Sequence, residues 1–540
     1  MSLLSRISRV KPESMIAEEV ETECSEGTGL KKIMSLTSLT LFGVANVIGA
    51  GIFITIGRAA ATEAGPAVIL SFIFSGFTCA LTGVCYSRFS SRLSSSGSAY
   101  TYVYSSMGEV FAFLAGLGLC SETSVAAAAL CRGLSGRIRV ILSEESQHHA
   151  WLPHLSLTNP DTFFEVDLLA PCIGALITVA CLLGAKDSAR LGSFMTVFNV
   201  CMITMFIIAG FSSSSFSGEA FSSIDNFMSK GFTGVMRATT TTLFTYIGWD
   251  SVCCLSEEVK EPKKTIPRAI TGTLMLVGTL YCLLAIVVCG LMPDMAELAK
   301  NMDLESIFKR SGMIVISQVV RYGIMFTALT AALASSQGQP RLWFRMAKDG
   351  LVPYWLCKLD SAGTPTNAIL VTGAITCIVS CLVNVDVIFD TIIVGVLMMQ
   401  AFVCIGCLMH EARDLQASSN HRTCIVSMSL FAVIGGALLQ QIKETSASES
   451  SVYWMGIFVA TISTSFISGI LAMLQYEKSQ RLNTLIPLVA TLANFFFMGN
   501  LGFSKIGQLL LAYAVVLFAV YFLYGLKHSK LQRHVDKCGS

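Results

Sequence analysis

The residues best suited to bind a small charged ligand lie where two apolar segments are interrupted by glycine. One interruption reads NVIGAGIF at positions 46–53, and the other reads TYIGWD at positions 245–250. A helix broken inside a membrane exposes amide groups, which favour a carboxylate, and carbonyl groups, which favour an ammonium group. Small residues at a break let a ligand approach the backbone. They also pack helices together, but two matched breaks favour a binding site.

The elements that carry these breaks are predicted to be transmembrane helices. Hydrophobic residues make up 53% of the 540-residue chain and charged residues 13%, against roughly 25% charged in soluble domains. The apolar residues form blocks of about 20, the length of helix that crosses a hydrocarbon core. About 14 blocks lie near residues 36–58, 66–87, 99–131, 168–185, 191–211, 231–254, 268–292, 311–336, 366–384, 387–409, 424–442, 452–475, 484–500 and 506–526.

The positions of the breaks predict the architecture. They fall in the first and sixth blocks, which indicates an all-α polytopic membrane protein with a five-plus-five inverted repeat. With the N-terminus inside, about 25 Lys and Arg lie on the cytoplasmic side and about 12 on the other, so both termini are predicted to be cytoplasmic. The expected divisions are a tail at 1–35, a core of helices 1 to 10 at 36–410, four additional helices 11 to 14 at 411–526 and a second tail at 527–540.

Several classes of protein and site are disfavoured. The chain contains no Gly-x-Ser-x-Gly, no His-Glu-x-x-His and no Walker loop, which disfavours an enzyme. Its seven His show no metal-ligand spacing, so no metal or other cofactor is expected. We expect no nucleic-acid partner. The loop at 133–167 contains no Cys, which argues against a disulfide-linked heavy chain.

Five segments match, in order, a known group of membrane proteins. They are 43–66 with IGAGIF and AGP, 97–109 with GSAYTY and GE, 184–190 with GAKDSAR, 244–262 with FTYIGWD and EEVKEP, and 338–365 with GQPR, MAKDGL and TP. This order resembles the amino acid, polyamine and organocation superfamily. The 14 predicted spans and the residues of the last segment resemble its cationic amino acid transporter family. The similarity fades after about residue 410.

The resemblance implies an L-amino acid substrate, carried across a lipid bilayer by alternating access. It implies that backbone amides near Gly49, Ala50 and Gly51 bind the substrate carboxylate. The ammonium group would be bound by the carbonyls of Ile48, Phe244, Thr245 and Ile247. Trp249 would be the aromatic residue that closes over the substrate; phenylalanine is usual there, so a slightly smaller pocket is expected. The alternative for Trp249 is an interfacial anchor.

Two charged residues in predicted helices are further candidates. The resemblance suggests that the ammonium group of Lys186 takes the place of a sodium ion, so that transport needs no sodium and protonation of Lys186 could couple to proton movement. Alternatively, Lys186 and Arg190 are ordinary positive residues at a helix end. Glu122 lies deep in the third block, where many family members have glutamate. It could attract the cationic end of lysine, ornithine or arginine, or stay protonated or paired.

Arg88 departs from the family pattern, which has an acid there. Its expected surroundings are either an acid of another loop, such as Glu257 or Glu258, or solvent.

The sequence therefore predicts a sodium-independent transporter of cationic amino acids. The expected compartment is the plasma membrane, with an endomembrane as the alternative, and protons are a candidate coupling ion. Two alternative functions stay open. One is a carrier or exchanger of neutral amino acids, and the other is an amino acid sensor that binds without transporting.

Overall fold

The computed structural model is almost entirely helical where it is described. It describes residues 9–25, 30, 32, 34–49, 51–93, 95–145, 156–157, 166–182, 185–292, 294, 298, 303–360, 363–383, 385–414, 420–444, 461–470, 481–499, 520–525 and 528–531.

Eighteen α-helices lie in these ranges. They are α1 Glu13–Ser25, α2 Leu36–Val47, α3 Gly51–Arg58, α4 Val68–Arg92, α5 Ser98–Ser106, α6 Glu109–Glu145, α7 Leu169–Leu182, α8 Ala185–Phe211, α9 Ile224–Phe227, α10 Gly231–Leu243, α11 Pro262–Leu291, α12 Leu304–Arg310, α13 Ile314–Lys348, α14 Thr366–Leu382, α15 Val385–Asp414, α16 Asn420–Glu444, α17 Thr461–Ile470 and α18 Arg481–Gly499.

Shorter elements connect or extend these helices. Two π-helical turns are Ala59–Ala64 and Tyr521–Gly525, and the 3-10 segments are Gly65–Ala67, Glu219–Phe221, Phe244–Tyr246, Trp249–Glu258 and Tyr354–Cys357. Strand β1, Ser156–Leu157, pairs antiparallel with β2, Val166–Asp167.

Five helical stretches in the described ranges, the first made of α3, α4 and the turns between them, are long and apolar enough to cross a membrane. They are Gly51–Arg92, Glu109–Leu142, Leu191–Phe211, Pro262–Leu291 and Ile314–Lys348. Seven further apolar helices of 10 to 17 residues accompany them. The chain is thus a polytopic helical membrane protein. The count of 14 spans and the inverted repeat stay predictions.

Packing brings the two interrupted segments together. Helix α2 packs against α8, α11 and the Trp249–Glu258 segment, while α6 packs along α13 and α15. The last described helix, α18, packs against α4, α15 and α16. A buried hydrogen bond of 3.0 Å from Asn494 Nδ2 to Thr82 Oγ1 joins it to α4. Helix α18, one of the predicted additional helices, therefore contacts α4 and α15 directly.

Candidate functional site

The first predicted break is present between α2 and α3. Helix α2 ends at Val47, and Ile48 leaves the helical conformation with a ψ of 87°. The Gly49 amide donates to the Val47 carbonyl at 2.9 Å, and the helix resumes at Gly51. The first amides of a helix have no partner within the helix, so the start of α3 offers donors for an anion. Ala50 lies outside the described residues.

The second predicted break is also present. Phe244–Tyr246 forms a 3-10 turn, Ile247 is extended with φ −63° and ψ 143°, and Gly248 is left-handed with φ 106°. A Cβ atom on Gly248 would lie 3.0 Å from the Asn46 carbonyl oxygen and 3.1 Å from Asn46 Cβ. Glycine is therefore needed for two reasons, because the backbone is left-handed and because the two breaks touch at this point.

A single hydroxyl lies against the carbonyl ends of both broken helices. Tyr281 Oη on α11 lies 3.0 Å from the Val47 oxygen and 3.2 Å from the Thr245 oxygen. The Thr245 carbonyl, one of the predicted ammonium acceptors, therefore already has a donor inside the protein. A carbonyl oxygen has a second lone pair, which leaves it able to accept from a ligand as well.

A cavity of about 180 Å³ lies beside the two breaks. One water needs only ~10–15 Å³, so the cavity is large enough for an organic ligand. Six predicted site residues line it, namely Gly49, Gly51, Glu122, Phe244, Thr245 and Ile247. The other described lining residues are Asn46, Val47, Ile52, Thr123, Ala126, Ala129, Leu130, Gly133, Gly248, Ser251, Ala331, Ser335 and Ile392.

Ile48 and Trp249 are not among the described lining residues, although both adjoin a break. Both side chains are fully buried. The Trp249 ring packs edge-on against Tyr86, with 5.0 Å between ring centroids. Its role as a closing aromatic residue stays a prediction. The aromatic side chain that lines the cavity is Phe244, and a Cβ on Gly51 would lie 2.9 Å from its ring.

Glu122 carries the one ionisable side chain among the described lining residues. It is 6% exposed, and its Oε2 atom has no hydrogen-bond partner in the described part of the chain. A buried carboxylate oxygen without a partner costs free energy unless it is protonated or meets a ligand donor. Lys186 belongs to α8, but the placement of its side chain lies outside the described residues, so its role stays a prediction.

The sequence reasoning missed four polar residues that line the cavity, namely Asn46, Thr123, Ser251 and Ser335. Asn46 was within the quoted first interruption, so its type and position could have identified it. The other three lie in helices whose inward faces depend on how the bundle packs. Nothing in their local sequence distinguishes them from polar residues elsewhere.

Arg88 pairs with an acid, but with neither of the two carboxylates named as examples. Its Nη1 atom lies 2.7 Å from Glu411 on α15 and 2.6 Å from the Asn483 carbonyl on α18. Glu258 instead pairs with the buried Arg341 at 2.5 Å, and Glu257 accepts from the Ser96 amide at 2.8 Å. Arg88 therefore connects the end of α4 to α15 and α18.

Known proteins with similar sequences are membrane transporters. The chain matches the amino acid permease family model over residues 34–442. It is 31% identical over 429 residues to the methylthioribose transporter of Bacillus subtilis (strain 168), covering 78% of this chain and 89% of that one. It is 26% identical over 450 residues to cationic amino acid transporter 1 of Arabidopsis thaliana, covering 83% and 73%. It is 30% identical over 393 residues to branched-chain amino acid permease BcaP of Bacillus subtilis (strain 168), covering 72% and 82%.

The region matched by the family model contains both broken helices and every described residue that lines the cavity. It spans more than half of the chain, and the relatives are transporters rather than enzymes. These findings confirm the resemblance seen in the sequence motifs. The chain belongs to the amino acid permease family, within the amino acid, polyamine and organocation superfamily.

Proposed function

We propose that this chain transports cationic amino acids such as arginine, lysine and ornithine by alternating access and without sodium. The observation that carries the proposal is the buried carboxylate of Glu122, whose Oε2 atom has no described partner and which lines the cavity beside both breaks. The charged end of a cationic side chain would give this Oε2 atom a partner that the described residues do not provide.

The backbone at the breaks is proposed to hold the groups that all amino acids share. The amides at the start of α3, near Gly51, would bind the carboxylate, since a helix N-terminus favours an anion. The carbonyls of Phe244, Thr245 and Ile247 would bind the ammonium group. Phe244 is the better candidate than Trp249 for an aromatic contact with the ligand, because its side chain lines the cavity and that of Trp249 packs against Tyr86.

A carrier of neutral amino acids is the second candidate function. Most of the described lining is apolar, including Val47, Ile52, Leu130 and Ile392. A cavity of this composition suits an aliphatic side chain when Glu122 is protonated. A branched-chain amino acid permease is also among the similar proteins.

Several finer features belong to the same proposal. They are 14 spans in a five-plus-five repeat with four additional helices, cytoplasmic termini, and a plasma membrane location with an endomembrane as the alternative. The paired breaks support the repeat, and the distribution of Lys and Arg supports the orientation of the termini. The ammonium group of Lys186 is proposed to replace a sodium ion and to couple transport to protons, on the basis of the resemblance alone.

Uptake by proteoliposomes tests the proposal. Radiolabelled arginine, leucine and methylthioribose are each supplied without sodium, to the wild-type chain and to Lys186→Ala. We expect saturable arginine uptake by the wild type and its loss in the variant. Uptake of leucine alone would favour the neutral carrier. Saturable binding of arginine without uptake would favour a sensor, and uptake of methylthioribose alone would overturn amino acid transport.

A further inference from the structure

The hydroxyl of Tyr281 contacts one backbone carbonyl from each of the two broken helices. Tyr281 is fully buried on α11, and its ring packs edge-on against Phe72 and Tyr246 at centroid distances of 5.9 and 5.4 Å. This packing fixes the ring, and thereby fixes the hydroxyl between the Val47 and Thr245 carbonyls at 3.0 and 3.2 Å. Both carbonyls belong to the last residues before a helix is interrupted.

The chemistry of a phenol limits what this hydroxyl can do. It has one proton and two carbonyls within reach, so it donates to both weakly or to one at a time. The carbonyl groups at the end of a half-helix repel each other and would separate without a donor between them. A shared donor therefore holds the two carbonyl ends at a fixed separation.

We propose that Tyr281 is a positioning residue that holds the carbonyl ends of the two broken helices in register for the substrate ammonium group. The inference rests on the proposed function and deepens it. Every amino acid has the same ammonium group, so Tyr281 acts on all substrates alike, whereas Glu122 acts on one class of side chain. The hydroxyl itself need not touch the substrate.

The test is Tyr281→Phe, which keeps the ring and removes the hydroxyl. We expect the KM for uptake to rise about tenfold for each transported amino acid, which corresponds to the ~1.4 kcal/mol of one hydrogen bond. The matched control is Ser465→Ala on α17. Its hydroxyl is equally buried and donates to the Met428 carbonyl of α16 at 2.7 Å, and neither residue belongs to a break. It loses the same kind of bond, so its thermal stability should fall similarly while its KM stays within about twofold of the wild type.

Equal effects of the two variants on KM would overturn the inference, because the loss would then reflect weakened packing alone. A change in KM for arginine but not for leucine would also overturn it, since a positioning role cannot depend on the side chain. If the wild-type chain binds amino acids without transporting them, the same comparison is made with dissociation constants. The role of Tyr281 can thereby be tested even if the chain does not transport amino acids.

A second inference comes from residues 9–25 and the helix ends that they contact. Residues 9–25, here called the latch, cross the ends of α5, α6 and α13, a surface here called the terminal face. Lys11 is 3% exposed, and its Nζ atom lies 2.6 Å from both Asp349 and Glu19. Its amide donates to the Tyr104 carbonyl at 3.2 Å, and the Glu109 amide donates to the Arg9 carbonyl at 2.8 Å.

Additional contacts fix the latch and the segment 528–531. Glu19 pairs with Arg345 at 2.5 Å, and Glu13 lies 2.6 Å from His410 on α15. The Lys530 amide donates to the Asp349 carbonyl at 3.0 Å. Burial by itself raises the pKa of Asp349, but Lys11 and Arg345 lower this pKa to below its usual value, so the carboxylate is ionised at neutral pH. The contact of Asp349 with Lys11 is therefore a true ion pair.

We infer that the latch holds the terminal face closed and that Lys11 must leave Asp349 before the cavity can open towards this face. The latch joins α6, α13 and α15, which all line the cavity. Glu122 lies 13 residues beyond Glu109 in α6, or about 20 Å from the latch. The latch is thus too far away to touch a substrate, and it acts on the separation of the helix ends. Like the first inference, this one rests on alternating access.

Labelling with a maleimide tests the latch without any substrate. Cys254 is 4% exposed. It lies in the sequence between Ser251, which lines the cavity, and Glu258, whose carbonyl accepts a hydrogen bond from the Met34 amide near the terminal face. We expect Lys11→Gln to speed labelling of Cys254 about tenfold, as read by peptide mass spectrometry, since breaking a buried pair is costly. Lys11→Arg should label like the wild type.

Two controls separate opening from unfolding. Lys264→Gln removes an exposed pair with Glu261 and should leave the rate unchanged. Cys289 is fully buried near the other end of α11, and it should stay slow to label in every folded variant. Faster labelling of Cys254 and Cys289 together, or no change at Cys254 in Lys11→Gln, would overturn the latch.

Discussion

Replacing Gly248 with alanine is expected to reduce the rate of amino acid uptake at least about tenfold. The left-handed conformation at φ 106° costs a residue with a Cβ atom about 1–2 kcal/mol. The new Cβ would also lie 3.0 Å from the Asn46 carbonyl oxygen, so one of the two breaks must move. Because both breaks line the cavity, the shift changes the site itself. Initial rates in proteoliposomes measure the effect.

The matched control is Gly136→Ala on α6. Gly136 does not have a positive φ, and a Cβ there would meet nothing within 4 Å among the described residues. Alanine in a helix is more favourable than glycine by about 1 kcal/mol, so this variant should transport normally and be slightly more stable. Normal transport by Gly248→Ala would show that the contact with Asn46 is not needed.

Both broken helices could be predicted from sequence because glycine in an apolar segment is a local signal. Gly49 and Gly51 in the first segment and Gly248 in the second weaken the helix where they occur, whatever surrounds them. The match between the two segments indicated that the weak points belong to one site. Six of the predicted site residues consequently line the cavity.

The directions of side chains after a break could not be predicted in the same way. The segment that follows Gly248 is a 3-10 helix of ten residues, Trp249–Glu258. Successive side chains in a 3-10 helix are spaced by a third of a turn, and those in an α-helix by less. The role of Trp249 was inferred from the family resemblance, which carries no information on the direction of its side chain. In the structure this side chain packs on Tyr86, whereas Phe244, before the break, lines the cavity.

Contacts between elements that are distant in the sequence could not be predicted from it either. Arg88 and Glu411 are 323 positions apart, and nothing local to Arg88 distinguishes Glu411 from Glu257 or Glu258. Span counts have a similar difficulty. A break divides one span into two helices, and α2 with its 12 residues is about 18 Å long, shorter than the ~30 Å hydrocarbon core. A count by helix length therefore misses a broken helix such as α2, although its end lines the cavity.

Replacing Glu122 with glutamine is expected to separate the two candidate substrates. Glutamine has the same shape but no charge, so the steric fit of the cavity is kept. A hydrogen bond to a charged group is worth about 1.5–3 kcal/mol, and we therefore expect kcat/KM for arginine to fall roughly 10- to 150-fold. Any uptake of leucine, whose side chain has no charge to pair with Glu122, should fall by at most a small fraction. Competition between the two amino acids in one preparation measures the ratio directly.

Glu122→Asp is the matched variant, since it keeps the charge and shortens the side chain by one methylene. It should retain more arginine uptake than Glu122→Gln, because a carboxylate in the cavity still attracts the cation at a slightly longer distance. An equal loss of arginine and leucine uptake in Glu122→Gln would instead assign the carboxylate to a step common to all substrates, such as carrying a proton. Unchanged arginine uptake would remove the main support for cationic selectivity, because Glu122 is the one ionisable side chain among the described lining residues. The remaining polar groups at the cavity, including Asn46 and Ser251, cannot distinguish a cation from a neutral side chain by charge.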